Sequence, residues 1–269
     1  MTQKLYFITF GNNKEFTISK KHLLSLVKHS NIFDNISSFS FSNLEKDFVN
    51  KYKNILSEKR GSGFWLWKVN IIDQTLRAMK DNDILLYMDA GSSFNFHAKN
   101  KFLEYINLLN DQPEVGNFRF ECEAHHVEKE WTSKELFSYF NINVESKIGN
   151  STQFEGGHLL FKKNIHTHEL IRSFYDTIDY DPKLITDYYN TTPQIESFKE
   201  CRHDQSIFSL LSKEMGSVFV ENETDFRNRI ELQYDYPLLA TRRKGHGVKD
   251  RLKYTLFSDY YKKRPTFFQ

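Results

Sequence analysis

The stretch Asp83-Ile-Leu-Leu-Tyr-Met-Asp-Ala-Gly91 decides the fold of this chain. Its central run, Ile84 to Met88, is apolar, is flanked by charged residues and is too short for an independent helix. Such a run predicts a strand covered on both faces, as in parallel sheets. In open α/β sheets, ligands bind beyond the carboxyl ends of the strands. Asp89 lies at such an end, and Gly91 allows the backbone to turn sharply there.

Other strands and helices are predicted on both sides of this stretch. Strands are expected at 5–10 and 158–161, and helical spacing of apolar residues is found at 19–29, 44–56, 71–79, 98–109, 164–175 and 205–211. Strand and helix alternate, which favours an α/β sheet over a sandwich or a helical bundle. The sequence predicts one α/β domain over residues 1–240 and a basic, aromatic tail over residues 241–269.

Composition excludes several classes of protein. Of the 269 residues, 39% are hydrophobic and 16% aromatic, which argues against a disordered chain, and a net charge of +2 argues against a general polyanion binder. The two cysteines, Cys122 and Cys201, form no ligand-spaced cluster, so we expect a reduced, cytoplasmic compartment and no structural zinc. No segment approaches the roughly 20 apolar residues needed to span a bilayer.

Asp89 admits two interpretations of equal weight. A carboxylate at the end of a parallel strand can hold a divalent cation against a diphosphate, or accept hydrogen bonds from a ribose. Asp is also a common N-cap of a following helix.

The segment Arg202-His-Asp-Gln-Ser206 precedes the apolar helix predicted at 205–211. Asp204 is a candidate general base towards a sugar hydroxyl, or a group that orients a bound sugar. Taken alone, a helix cap explains Asp204 better, because backbone N–H groups at a helix N-terminus favour negative charge.

Two further segments carry chemistry-bearing side chains. In Phe64-Trp-Leu-Trp-Lys68, one Trp is expected to pack in the core and the other to stack on a ring, while Lys68 can meet a phosphate as a point charge. In Gln153-Phe-Glu-Gly-Gly-His158, the glycines permit close backbone approach, and Glu155 or His158 can face a substrate. Core packing explains the first segment better on spacing alone, and a tight turn explains the glycines of the second segment equally well.

The tail is rich in cations and is interrupted by Gly245-His-Gly247. It can close over a diphosphate, contact anionic lipid head groups, or remain a solvated basic tail. Its aromatic residues raise nucleic-acid binding as a further reading, but the near-neutral total charge and the lack of a recognised motif count against that reading.

Taken in order, the Trp-Leu-Trp-Lys, Asp-Ala-Gly and His-Asp-Gln-Ser elements resemble a group of bacterial and viral glycosyltransferases with the GT-A fold, a Rossmann-like mixed sheet flanked by helices. The resemblance covers residues 60–215. It implies sugar transfer from a nucleotide diphosphate sugar, commonly UDP-linked, to a hydroxyl of a glycan or lipid-linked glycan acceptor. The implied destination is a surface polysaccharide, lipopolysaccharide or capsule, made in the cytoplasm or on the inner face of a membrane.

The resemblance also implies roles for individual residues. Asp89 corresponds to the first Asp of the usual DxD element. If the enzyme inverts the anomeric centre, one base suffices, and Asp204 is then the preferred catalytic base, with Glu155 second; for a retaining enzyme the sequence identifies no catalytic group. The implied donor-binding residues are Trp65, Lys68, Asp89, Ala90, Gly91, His203, Gln205 and Lys249.

The chain departs from the DxD pattern at one position. Gly91 stands where the second Asp is usual, which leaves a dependence on Mn²⁺ or Mg²⁺ in question. Asp89 and His246 are the predicted metal ligands. A nearby Lys or Arg is the alternative for neutralising the leaving diphosphate.

Two alternative functions follow from the same motifs. The incomplete DxD is compatible with a protein of this fold that binds a glycan or nucleotide without catalysis. Asp89-Ala-Gly-Ser-Ser93 also resembles the phosphate loop of actin-like nucleotide phosphatases, in which the loop joins two strands of a hairpin. The helix predicted at 98–109 does not fit that context.

Overall fold

The computed structural model describes residues 3–12, 14–227 and 229–243. A six-stranded sheet lies at its centre, and a two-stranded sheet lies beside it. The strands are β1 (Leu5–Phe10), β2 (Asn35–Phe39), β3 (Ile84–Met88), β4 (Ser93–Phe94), β5 (Asn117–Phe120), β6 (His158–Lys162), β7 (Val218–Val220) and β8 (Leu238–Leu239).

The central sheet has the strand order β2-β1-β3-β6-β5-β7. Strand β6 is antiparallel to β3 and β5, whereas β1 pairs in parallel with β2 and β3, and β5 pairs in parallel with β7. The predicted mixed, mostly parallel sheet is therefore confirmed. The reversed strand β6 has a consequence for the site, because its first residue lies beside the last residue of β3.

Helices cover both faces of the sheet. The α-helices are α1 (Lys14–Ser30), α2 (Lys46–Lys51), α3 (Lys53–Leu56), α4 (Gly61–Phe64), α5 (Trp67–Ala78), α6 (Lys99–Asn110), α7 (Lys134–Tyr139), α8 (Ile165–Tyr180) and α9 (Asp204–Met215). Successive residues of β3 point to opposite faces, with Leu85 and Tyr87 in the core formed with α5, α8 and α9. Ile84, Leu86 and Met88 enter the core formed with α1 and α6. All five β3 residues are buried, as the apolar run predicted.

The predicted boundaries were wrong in two places. The single helix expected at 44–56 is two short helices, because Tyr52 between them leaves the helical conformation. The strands β2, β5 and β7 were not predicted. β2 and β7 are edge strands of the sheet, and β2 has a polar sequence in which three of five residues are exposed, so its apolar pattern is weak.

The actin-like alternative is contradicted by the pairing of β4. The turn after Asp89 leads into β4, but β4 pairs with β8 and not with β3, so no hairpin encloses the turn. The predicted helix at 98–109 is present as α6. Within the described residues, no helix has the length and apolarity needed to cross a membrane.

Candidate functional site

Asp89 lies at the carboxyl end of β3, where two distant motifs meet. The register pairs Met88 with His158, and the backbone N–H of Asp89 donates to the carbonyl of Gly157 at 2.8 Å. Antiparallel pairing thus brings the start of β6, with its paired glycines, beside the end of β3. The Gly-Gly segment therefore belongs to the same site as Asp89.

The Asp89 carboxylate is open to solvent on one side, with 42% of the side chain exposed. Its Oδ1 accepts a hydrogen bond from the Tyr87 hydroxyl at 2.5 Å and lies 3.6 Å from the Lys68 ammonium. The residue does not cap a helix, because a turn and then β4 follow it. The helix-cap interpretation of Asp89 was therefore wrong, and the carboxylate remains available to a ligand.

Lys68 and Asp204 form a buried ion pair beneath this carboxylate. The Lys68 ammonium lies 2.5 Å from Oδ2 of Asp204 and donates to the Gly156 carbonyl at 2.8 Å. Both side chains are 5% exposed or less. Burial opposes the charged form of Lys68, but Asp204 and Asp89 outweigh it and raise the pKa of its ammonium. Burial raises the pKa of the Asp204 carboxyl to about 6, against the opposing pull of Lys68.

This burial changes the roles that the sequence assigned to the pair. The ammonium of Lys68 is already surrounded by two carboxylates and a carbonyl, so it is not placed as a point charge for a phosphate. Asp204 is the first residue of α9, its carboxylate pairs with Lys68, and it does not line the cleft described below. The structure therefore corrects the phosphate role of Lys68, whereas Asp204 lies in the first turn of α9, where its interpretation as a helix cap expected it.

Glu155 and Gln205 face the open space above that pair. Glu155 Oε1 is 2.6 Å from Nδ1 of the buried His158, and its carboxylate is 13% exposed. A Cβ added at Gly157 would lie 3.3 Å from Oδ2 of Asp89 and 3.4 Å from Oε2 of Glu155, so both carboxylates flank this bare stretch of backbone. The Gln205 side chain accepts from the Gly156 N–H at 3.2 Å.

Trp65 and His203 pack on each other at one end of the site. Trp65 adopts a positive φ of 59°, and its indole stacks on the imidazole with 5.3 Å between ring centroids. Trp65 lines the cleft, as predicted for the nucleotide side. His203 is buried, pairs through Nδ1 with the Ile185 carbonyl at 2.9 Å and does not line the cleft, so it supports Trp65 from behind.

The start of the predicted tail crosses Gly91. The backbone N–H of Arg243 donates to the Gly91 carbonyl at 2.8 Å, and the Thr241 hydroxyl donates to the same carbonyl at 2.8 Å. A Cβ at position 91 would lie 3.1 Å from the Arg243 carbonyl oxygen. The position of the second DxD carboxylate is thus taken by the backbone of this crossing segment. His246 and Lys249 lie outside the described residues.

A cleft of about 500 Å³ opens at this edge of the sheet. Its wall includes Asp89, Ala90, Gly91, Glu155 and Gln205. Arg242 and Arg243, from the basic tail predicted to be able to close over a diphosphate, also line the cleft. Sequence reasoning missed further wall residues, namely Phe10, Gly11, Asn12, Phe16, Lys59, Gly61, Ser62 and Ala240. Those at the end of β1 were detectable, because β1 and β3 are parallel and their carboxyl ends share one edge of the sheet.

The described residues provide only part of a ligand set for a divalent ion at the turn after Asp89. Asp89 offers an open carboxylate, but position 91 cannot add a second one. Within residues 3–12, 14–227 and 229–243, the only three-residue group of closely spaced carboxylate, imidazole or thiol ligands is Glu123, His125 and His126. We therefore derive no catalytic step through a metal at Asp89.

Comparisons with known proteins bear on the fold. No family model and no curated protein matches the chain. A glycosyltransferase involved in the glycosylation of the major capsid of PBCV-1 is similar, with 14% identity, coverage of 94% of this chain and 99% of that one, and a TM-score of 0.53. Mouse xyloside xylosyltransferase 1 gives 10% identity, coverage of 92% and 98%, and a TM-score of 0.43. GlyE of Streptococcus pneumoniae TIGR4 gives 12% identity, coverage of 97% of this chain and 64% of that one, and a TM-score of 0.43.

The first of these likenesses, at 14% identity and a TM-score of 0.53, carries the argument on fold. In this chain, a sheet with a single reversed strand carries a cleft at the carboxyl ends of β1 and β3. The chain has the glycosyltransferase fold of the GT-A type that its three motifs predicted.

Proposed function

We propose that this protein is a glycosyltransferase that moves a sugar from a nucleotide diphosphate sugar, UDP-linked in the first instance, to a hydroxyl of a glycan acceptor. The observation that carries the proposal is the charge arrangement of the cleft. Two carboxylates, Asp89 and Glu155, flank Gly157, while Lys59, Arg242 and Arg243 line the same cleft. A nucleotide sugar needs cations for its diphosphate and carboxylates for its hydroxyls and for the acceptor.

The cations of the cleft act on the leaving group in this proposal. When the bond to the sugar breaks, negative charge grows on the nucleotide diphosphate. Guanidinium groups bind phosphate oxygens in a fixed fork geometry, and preorganised cations stabilise such developing charge. Arg242 is an exposed arginine of the cleft wall whose guanidinium lies 3.5 Å from Asp225, and Lys59 adds an exposed ammonium. Arg243 also lines the cleft, but it is buried and its guanidinium contacts His22 at 3.2 Å.

Glu155 replaces Asp204 as the preferred base. A general base must reach the acceptor hydroxyl from a position open to the substrate. Asp204 is buried against Lys68, whereas Glu155 lines the cleft and is oriented by His158. Glu155 accepts the proton from the acceptor hydroxyl in this scheme, and Asp89 binds hydroxyls of the donor.

Glu155→Gln tests this assignment directly. Loss of a general base costs about 10²- to 10⁴-fold in rate, so we expect kcat to fall at least 100-fold in a nucleotide-release assay with a panel of nucleotide sugars. Glu169→Gln, on the exposed surface of α8, is the control and keeps full activity. Unchanged turnover in Glu155→Gln would remove Glu155 as the base.

A thermal-shift screen identifies the donor class. Each nucleoside diphosphate is added with and without Mn²⁺, because a ligand that binds only the native state raises the melting temperature. Stabilisation by UDP supports the donor proposal, and its dependence on Mn²⁺ tests the predicted metal role of Asp89 and His246. Stabilisation without turnover of any nucleotide sugar would favour a glycan- or nucleotide-binding protein instead.

The acceptor and the location stay predictions from the motifs. We propose that the acceptor is a surface polysaccharide made in the cytoplasm. The enzyme is proposed to contact a membrane through its basic tail. Mass spectrometry of acceptors modified by the purified enzyme is the measurement that identifies the acceptor.

A further inference from the structure

A second cluster of ligand-type side chains lies on the loop that follows β5. The loop is held at both ends by isolated bridges, Glu121 to Phe154 and Val127 to Thr152. Between them, the N–H of Cys122 donates to the Gln153 carbonyl, and the Gln153 N–H donates to the His126 carbonyl, both at 2.8 Å. The loop is therefore short and fixed at its base.

A tight turn within this loop gathers three side chains. The N–H of His126 donates to the Glu123 carbonyl at 2.8 Å, which closes a four-residue turn. The carboxylate of Glu123 lies 3.8 Å from Nε2 of His125, and the rings of His125 and His126 lie 4.3 Å apart. One ligand atom from each of the three residues lies within 4.8 Å of the other two.

The structure assigns a zinc-type metal site to Glu123, His125 and His126, separate from the proposed donor cleft. Two imidazoles and one carboxylate are a ligand set that binds Zn²⁺ with one position left for water. Ligand bonds of about 2.0–2.1 Å place such atoms about 3.3 Å apart. The cluster must therefore contract slightly, which the exposed His125 side chain permits.

His126 supplies a second observation that points to a ligand. Its Nδ1 is buried and has no hydrogen-bond partner among the described residues. A buried polar nitrogen without a partner is costly to the folded state. Coordination of a metal through Nδ1 gives this nitrogen a partner and removes the cost.

Two arginines, Arg227 and Arg202, lie next to the loop. Arg227 lies 4.0 Å from Glu123 Oε2, but its guanidinium is held by Asp225 at 2.7 Å. Arg202 stacks over the Trp131 ring at 4.1 Å from its centroid, and the His126 ring packs against the same Trp. Displacing Arg227 from Glu123 leaves that arginine paired with Asp225, so the carboxylate can turn to a metal.

The loop also connects to the wall of the donor cleft. Gln205, which lines the cleft, donates from Nε2 to the Gln153 side chain at 2.7 Å and lies 3.7 Å from the Cys122 sulfur. A metal bound to the loop would hold Cys122 and Gln153 in place next to Gln205. Cys122 and Cys201, whose spacing predicted no structural zinc, are not among the ligands of this site, which are Glu123, His125 and His126.

Metal titration of the tag-free, chelator-treated full-length chain tests the site. Zn²⁺ is titrated in competition with a chromophoric chelator, and Co²⁺ is titrated for the intense visible absorption of tetrahedral coordination. We expect one equivalent per chain, and at least tenfold weaker binding in Glu123→Gln, His125→Ala and His126→Ala. His125 is exposed, so at least this variant is expected to fold as the wild type does, and circular dichroism checks each of them.

Two further variants separate this site from the rest of the chain. His168→Ala removes an exposed imidazole on α8, and Asp89→Asn removes the open carboxylate of the cleft. Both are expected to bind the first equivalent as the wild type does. No zinc uptake by the wild type, or the same affinity in His125→Ala, would refute the site, as would an equal loss in His168→Ala or Asp89→Asn.

Discussion

Two pairs of charged residues, one below the cleft and one in its wall, have opposite surroundings. Lys68 and Asp204 are 5% exposed or less and contact each other at 2.5 Å. Asp89 and Glu155 line the cleft, and 42% of the Asp89 side chain is exposed. Lys68, Asp89 and Asp204 belong to the motifs that resemble glycosyltransferase motifs, whereas Glu155 lies in the separate segment Gln153–His158. The difference teaches that burial, which the motifs do not encode, separates supporting charges from those that can meet a substrate.

The two pairs are physically joined. The Lys68 ammonium also lies 3.6 Å from Asp89 and donates to the Gly156 carbonyl. Lys68 therefore holds both the Asp89 carboxylate and the glycine segment next to Glu155 in position. The buried pair is thus a support for the open pair, and breaking either one is expected to produce a different signature.

The largest expected effect comes from Lys68→Met. Removing one partner of a buried pair leaves an uncompensated charge and costs about 3–5 kcal/mol. Without Lys68, the pKa of Asp204 rises above its present value of about 6. The native state then keeps a proton that the unfolded chain loses near pH 4. The variant therefore loses stability as pH rises from about 4 through that folded pKa, and urea unfolding at pH 5 and pH 7.5 should show the larger cost at pH 7.5.

The control for Lys68→Met is Lys53→Met, which alters an exposed lysine on α3. It is expected to change the free energy of unfolding by less than about 0.5 kcal/mol at either pH. A cost in Lys68→Met that is equal at both pH values would contradict the coupling to Asp204.

Asp89→Asn should show the opposite signature. Asn keeps an oxygen for the Tyr87 hydroxyl, so we expect the free energy of unfolding to change by less than about 1 kcal/mol. We expect kcat/KM for sugar transfer to fall at least 100-fold, which corresponds to about 2.7 kcal/mol. Asp81→Asn, at an aspartate whose side chain is 82% exposed, is the control. A stability loss as large as that of Lys68→Met would contradict this distinction and show that Asp89 supports the fold as Lys68 and Asp204 do.

Gly91→Ala tests the segment that crosses the open pair. The added Cβ would lie 3.1 Å from the Arg243 carbonyl and 3.3 Å from its nitrogen. Overpacking of this kind costs about 1–3 kcal/mol, and displacement of Arg242 and Arg243 should weaken UDP binding in calorimetry. Gly91→Asp is expected to weaken it further and not to create a Mn²⁺ site. Tighter Mn²⁺ binding by Gly91→Asp would show that the crossing segment moves aside.

The smallest expected effect is that of Gln205→Ala. Its side chain orients the Gly156 N–H and the Gln153 amide, and its loss is expected to lower kcat/KM about tenfold, or about 1.4 kcal/mol. Gln112→Ala, on an exposed turn, is the matched control. An effect as large as that of Asp89→Asn would place Gln205 among the residues that touch the substrate.

Sequence reasoning located the main strands and the site region because their signals are local. Five buried apolar residues between charges specify β3 without any tertiary information, and the helical spacing of 98–109 specifies α6. The edge strands β2 and β7 carried no such signal. β5 was missed because Arg119 interrupts its apolar sequence, although the structure buries this arginine over the Phe161 ring.

The roles of the site residues depended on contacts that no local pattern reports. Lys68 and Asp204 are 136 positions apart, and their pairing follows from the way α5 and α9 pack on the same face of the sheet. The same packing removes His203 from the cleft and leaves Trp65 in it. The Glu123–His125–His126 cluster likewise needs the turn and the two bridges that hold its loop.

The sequence by itself determined that a strand ends at Asp89, that a mixed α/β sheet surrounds it, and that three motifs follow in an order resembling GT-A glycosyltransferases. Tertiary structure alone decided which charges are buried and which are open. The free energy of a charge depends on its solvation and on neighbours distant in the chain. For that reason, Lys68 and Asp204 became the support of the cleft, and Asp89 and Glu155 became its wall.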